Sequence, residues 1–146
     1  MNRGHLFQVL VPAAAAVAFA CAGPAAAQTV TVSTATGDTR IQVGDAASLP
    51  ADFPADVWLP EGHALQRVER APATTTLTFD AEGGTATLAG DYDQRMRAAG
   101  WTPARVVQPA SGCARAWEKD GRAVVAAFGA NDAGGTRVRL QLLPRR

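Results

Sequence analysis

The sequence is poor in the residues that carry most protein chemistry. Two histidines, two cysteines, one tyrosine and a single lysine, Lys119, occur in 146 residues. His5 and Cys21 fall in the first 27 residues, which leaves His63 and Cys113 as the only imidazole and thiol of the remainder. One thiol makes no internal disulfide. Zinc needs several His, Cys or carboxylate ligands, so one His and one Cys do not imply a zinc site. A Cys113/His63 pair is the sole thiol–imidazole option for a nucleophile and base, and no serine stands in a G-x-S-x-G elbow. The glycine pairs in Glu82-Gly83-Gly84 and Ala133-Gly134-Gly135 lack phosphate-loop spacing and a following Lys-Ser/Thr, and read as turns. Asp52, Asp56 and Glu61 match no calcium loop and read as turn and cap acids between prolines. No pair among the 13 acidic residues is singled out for glycoside cleavage. The expectation is therefore no catalytic, cofactor or metal-binding residue.

Excess charge is missing as well. Of 14 basic residues only Arg3 precedes Gln28, so the rest of the chain balances its 13 acids. Nucleic-acid binders concentrate positive charge to displace phosphate counterions, so neutrality argues against that class. The near-total use of arginine over lysine, with abundant alanine, reads as a GC-rich bacterial bias.

Long apolar runs are absent except at the start. Met1 to His5 carries Arg3, an apolar stretch of roughly 15 residues runs from Leu6 to Ala20, and Gly23-Pro24-Ala25-Ala26-Ala27 follows. A spanning helix needs about 20 predominantly apolar residues, and this stretch is broken by Gln8 and Pro12. The three parts are those of an export signal at residues 1–27, cleaved after Ala27, with no transmembrane segment left. A competing site is Cys21, which would become a lipid-bearing N-terminus. Phe19 and Ala18 fit that motif poorly, since small and leucine-like residues are preferred there. The expected location is periplasmic or secreted, with a lipid-anchored protein as the alternative.

Past the signal, alternation on both sides of Thr36-Gly37-Asp38 predicts a short hairpin from Thr29 to Val43, packing weakly. Leu49 to Gly62 carries three prolines that forbid a long helix, with Phe53, Val57, Trp58 and Leu59 too apolar for a solvated linker. An ordered strap laid against the domain is predicted. Residues 64–70 and 74–80 read as strands. Between Glu82 and Gly100 the stripe Leu88, Ala89, Tyr92, Met96, Ala99 predicts a helix, weakened at Gly90 and stopped at Gly100. Four strands follow, over 101–108, 113–119, 122–128 and 136–143, with Asp120-Gly121 as a tight hairpin turn. The fold class is α+β. An antiparallel sheet in the order strand-strand-helix-four strands carries one helix on one face, after the leading hairpin. The division is 1–27 signal, 28–62 hairpin and proline-rich strap, and 63–146 compact domain.

Two of these stretches resemble a class of small, mostly uncharacterised exported bacterial proteins and lipoproteins. The first is the strap L-P-x-D-F-P-x-D-V-x-L-P, here Leu49 to Pro60. The second is a helix end Y-x-x-x-(L/M)-x-x-x-G-W, here Tyr92, Met96, Gly100 and Trp101. A K-D-G-R hairpin, Lys119 to Arg122, follows at the usual place. The resemblance implies a compact α+β domain and transfers no catalytic residue. Trp58 stands where a proline is common, and Met96 where leucine is common.

Core packing is expected for Tyr92, Trp101 and Cys113. By the period-two rule Cys113, Arg115 and Trp117 share a face, which leaves Arg115 awkward unless it reaches solvent. Phe53 and Trp58 are the candidate interaction surface, with packing of the strap as the rival reading. The function expected is a non-enzymatic binding or accessory module of the cell envelope, its partner an envelope protein or small ligand. An enzyme of unrecognised type is the alternative.

Overall fold

The structure is a computed structural model and describes residues 27–105 and 113–144. The expected export signal, Cys21 included, and the end of the predicted 101–108 strand lie outside the described residues. The element order is β1 (Gln28–Thr34), β2 (Gly37–Val43), β3 (Ala64–Ala71), β4 (Thr74–Ala81), α1 (Thr85–Ala98), β5 (Thr102–Ala104), β6 (Cys113–Lys119), β7 (Arg122–Ala130) and β8 (Thr136–Leu143). All strands join one antiparallel sheet in the order β1-β2-β3-β4-β8-β7-β6-β5, so the molecule is α+β. No helix among the described residues is long and apolar enough to cross a membrane.

The leading hairpin differs from expectation. It does not stand before the domain but extends the sheet, with Arg40 to Val43 paired to Arg70 to Arg67. Backbone groups on the inner side of β2 find ladder partners there, which an isolated hairpin lacks.

Register explains the core. Cys113, Phe128, Val138 and Phe79 lie in one row across four strands, and Arg115, Ala126, Leu140, Leu77 and Val68 in the next. Side chains directly opposite one another share a face, and this is the face α1 covers. Leu88, Ala89, Tyr92 and Met96 of α1 are buried together with Phe79, Leu77, Val138, Leu140, Phe128 and Trp117. The helix stripe read from the 3.6-residue period is thus the one that packs.

Three local signals end elements where the chain requires. At the close of α1, Gly100 takes φ 86°, its N–H bonds the Arg97 carbonyl, and the Trp101 N–H bonds the Met96 carbonyl. This is a Schellman stop, which turns the next apolar residue back onto the helix. It explains why Gly100 and Trp101 stand together at the end of α1. In the β6–β7 turn both Asp120 (φ 52°) and Gly121 (φ 75°) are left-handed, as a type I′ hairpin demands. Before β8, the Asn131 side-chain oxygen accepts bonds from the Ala133 and Gly135 N–H groups and holds the looser turn.

Candidate functional site

The strap lies on the helix side of the sheet. Val57 is buried, and Phe53, Trp58 and Leu59 are partly buried against the core. Prolines at 50, 54 and 60 preset the extended path, and the Phe53 and Val57 N–H groups bond the Pro50 and Pro54 carbonyls in two consecutive turns. Those turns aim Asp56 at the C-terminal end of α1 and at the β6–β7 hairpin.

Asp56 is the hub of a clasp. Its carboxylate accepts two bonds from Arg122, Nη1 to Oδ1 at 3.2 Å and Nη2 to Oδ2 at 2.7 Å, and Lys119 Nζ lies 3.0 Å from Oδ2. Its backbone carbonyl accepts the Trp101 indole N–H at 2.7 Å. Lys119 also donates to the Ala99 carbonyl at 2.7 Å, so one ammonium caps the helix end and pairs with the strap. The Arg122 guanidinium sits over the Trp101 ring, 5.0 Å from its centroid. Hydrogen bonding from Arg122, with Lys119 adding to it, outweighs partial burial and holds the Asp56 carboxyl down at about 2. The same pairing raises Arg122 above its ordinary value.

The three motifs read separately in the sequence therefore meet here: the strap through Asp56, the helix end through Trp101, the K-D-G-R turn through Lys119 and Arg122. A fully paired carboxylate between two cations is unsuited to taking a proton near neutrality. Its chemistry is to hold the strap in place.

A second cluster settles the awkward guanidinium. Asp93, on the flank of the helix stripe, accepts Arg115 Nε at 3.1 Å and the Trp117 indole N–H at 3.1 Å. Arg115 thus keeps a partner while remaining partly exposed. Its Nη1 also lies 3.3 Å from Cys113 Sγ. Cys113 is half-buried rather than enclosed, at the margin of the core where β6 begins.

The only thiol and imidazole of the described residues do not meet. His63 Nδ1 donates to the Pro60 carbonyl at 2.7 Å, and its ring packs edge-on against Phe79 at 5.5 Å. Phe79 is three strand spacings from Cys113, on the order of 14 Å.

The candidate surface residues part company. Trp58 packs edge-on against Tyr92 at 4.8 Å with the Arg95 guanidinium above its ring. Phe53 lines a cleft of about 280 Å³ between the strap and the β3–β4 turn, with Leu142 beside it and Asp52, Arg70 and Arg122 at its rim. Asp52 and Arg70 are bridged at 2.8 Å. Tyr92, enclosed by Trp58, Trp117 and Phe128, has a buried hydroxyl with no hydrogen-bond partner among the described residues, and burial pushes its pKa up.

Reading the sequence placed Tyr92 and Trp101 in the core, where they are, and Cys113 with them, though it is only half-buried; it left Trp117 at a strand edge, took Asp56 for a turn acid and gave Asp93 no role. The strap motif itself, which brings an aspartate beside an apolar pair, was the available signal for Asp56. Compared with known proteins, the chain matches no family model, and no curated protein and no solved structure matches it at a significant level.

Proposed function

We propose that the chain is an exported, non-enzymatic binding or accessory module of the cell envelope, of the kind its strap and helix-end motifs resemble. The observation that carries the binding reading is the cleft beneath the strap. Its wall is apolar at Phe53 and Leu142, its rim offers Arg70 and Asp52, and its volume of about 280 Å³ suits a small ligand or a short extended segment. The clasp charges beside it, Asp56, Arg122 and Lys119, are committed to holding the strap, which favours a preformed cleft over a reacting centre. The separation of His63 from Cys113 supports the same reading. Export rests on the three-part signal pattern of residues 1–27 in the sequence.

Two measurements test the proposal. Mass spectrometry of the protein recovered from a bacterial envelope fraction should find Gln28 as the N-terminus; a lipid-modified Cys21 would make the module membrane-anchored, and an uncut Met1 would sink export. Immobilised protein should enrich a defined ligand from envelope extract, and A73W, which places bulk at the exposed cleft rim, should lose it without losing fold. Equal capture by both would remove the cleft from the reading.

A further inference from the structure

The two edges of the sheet are built differently. At one edge β5 is three residues long and contains Pro103, which lacks an N–H and blunts further pairing. At the other, β1 is seven residues, Gln28-Thr29-Val30-Thr31-Val32-Ser33-Thr34, all exposed. It has no charge, proline, glycine or bulge, the devices that ordinarily keep an edge from pairing. Its residues are β-branched from Thr29 to Val32, so it holds the extended form well.

The face of the β1–β2 hairpin turned away from the helix carries an apolar stripe, flanked on β3 by Arg67 and Glu69. Val68 belongs to the core and pairs with Gln42, so the flanking Ile41 and Val43 point away from the helix. Val30 lies opposite Ile41 and joins them, with Val32 next along the strand. Val30, Val32 and Val43 are 46%, 44% and 37% exposed, three of the four large apolar side chains that are exposed among the described residues.

The order of residues along β1 says what fits the edge. Read from either end, the central five are a hydroxyl, a valine, a hydroxyl, a valine and a hydroxyl. Laid antiparallel to a second copy about Thr31, the strand sets Thr29 against Ser33, Val30 against Val32 and Thr31 against itself. Each contact is then a like pair on one face, and cross-strand Thr–Thr and β-branched pairs are favourable. A two-fold interface is self-complementary by this rule: residue i meets j and j meets i.

We propose that β1 is a homodimerisation edge, two copies pairing antiparallel about Thr31 to make one sixteen-stranded sheet with a shared apolar stripe of Val30, Val32, Ile41 and Val43. The occupant is a second copy because the strand is its own complement and carries no charge that would select another. The proposal is independent of the cleft.

The test is sedimentation equilibrium on the purified processed chain from about 1 µM to about 500 µM, the range in which a small interface is expected to dissociate. The wild type should show a monomer–dimer equilibrium. V30K/V32K puts like charges opposite each other in this register and should be monomeric throughout, with unchanged circular dichroism. V30K/V32E puts opposite charges there and should restore the dimer. In a C113S background, T31C should form a disulfide-linked dimer on mild oxidation, because the paired Cα atoms lie within disulfide reach. Wild-type protein that stays monomeric at every concentration overturns the proposal. So does a dimer indifferent to V30K/V32K, or a V30K/V32E chain as monomeric as V30K/V32K, which would mean that a different strand or partner takes the edge.

Discussion

Replacing Asp56 with asparagine keeps the side chain's size and the backbone carbonyl that Trp101 bonds, while removing the charge that Arg122 and Lys119 share. The drop of the carboxyl from 3.8 to about 2 converts to roughly 2 kcal/mol of stability at neutral pH. The three side chains keep a quarter to a third of their surface in water, so screening lowers the expected cost of D56N to about 1–2 kcal/mol. A carboxyl held below its unfolded value stabilises the fold fully above the unfolded pKa and loses that contribution as pH falls through the folded one. The gap between wild type and D56N in urea titrations should therefore be flat above about pH 5, shrink below about pH 4 and nearly vanish near pH 2. Asp80, also lowered by its bond from Arg137, titrates in both proteins and cancels in the difference. A gap that persists undiminished at pH 2, or one below about 0.5 kcal/mol at pH 7, would refute the clasp as an electrostatic device.

Other substitutions probe the remaining packing. Y92F should leave stability unchanged or raise it by about 1 kcal/mol, since the lost hydroxyl has no partner among the described residues; a loss above about 1 kcal/mol would show that it binds an internal water or another group. W101F removes both the indole bond to Asp56 and part of the ring under Arg122, and should cost about 2 kcal/mol by chemical denaturation; an unchanged midpoint would place strap docking elsewhere. G135A would set a Cβ 2.5 Å from the Ala81 carbonyl oxygen, a backbone atom that cannot step aside, and should cost about 1–3 kcal/mol. G90A meets open space on the exposed side of α1 and should gain about 0.5–1 kcal/mol; similar melting shifts for the two glycine variants would contradict both arguments.

Whatever is decided by neighbours in sequence was legible. The helix stripe from Leu88 to Ala99, the left-handed Asp120-Gly121 turn and the Gly100 stop each depend on backbone geometry spanning a few residues, and each is written in residue type and spacing. Partners across the chain were not. Asp56 and Arg122 stand 66 residues apart, and Asp93 reaches Arg115 across 22. In a chain whose cations are nearly all arginine, residue type alone cannot tell which arginine an aspartate will meet. The docking of β2 on β3 was hidden for a related reason, because the polar alternation that marks a hairpin is the same whether its second edge is free or paired.

The clasp changes what the strap and helix-end motifs can be asked to explain. Their polar and aromatic members, Asp56, Trp101, Lys119 and Arg122, spend their hydrogen bonds on one another and on the end of α1. A residue so engaged is not available to a ligand without unclasping the strap, at a cost comparable to the D56N loss. Chains that share these motifs are therefore expected to share the strap's path and the helix stop. Under the proposed binding function, specificity should then lie in residues outside the clasp, at the cleft rim around Arg70 and Asp52. Exchanging rim residues between two such chains should move ligand preference while leaving stability within about 0.5 kcal/mol, whereas exchanging Asp56 or Trp101 should do the reverse.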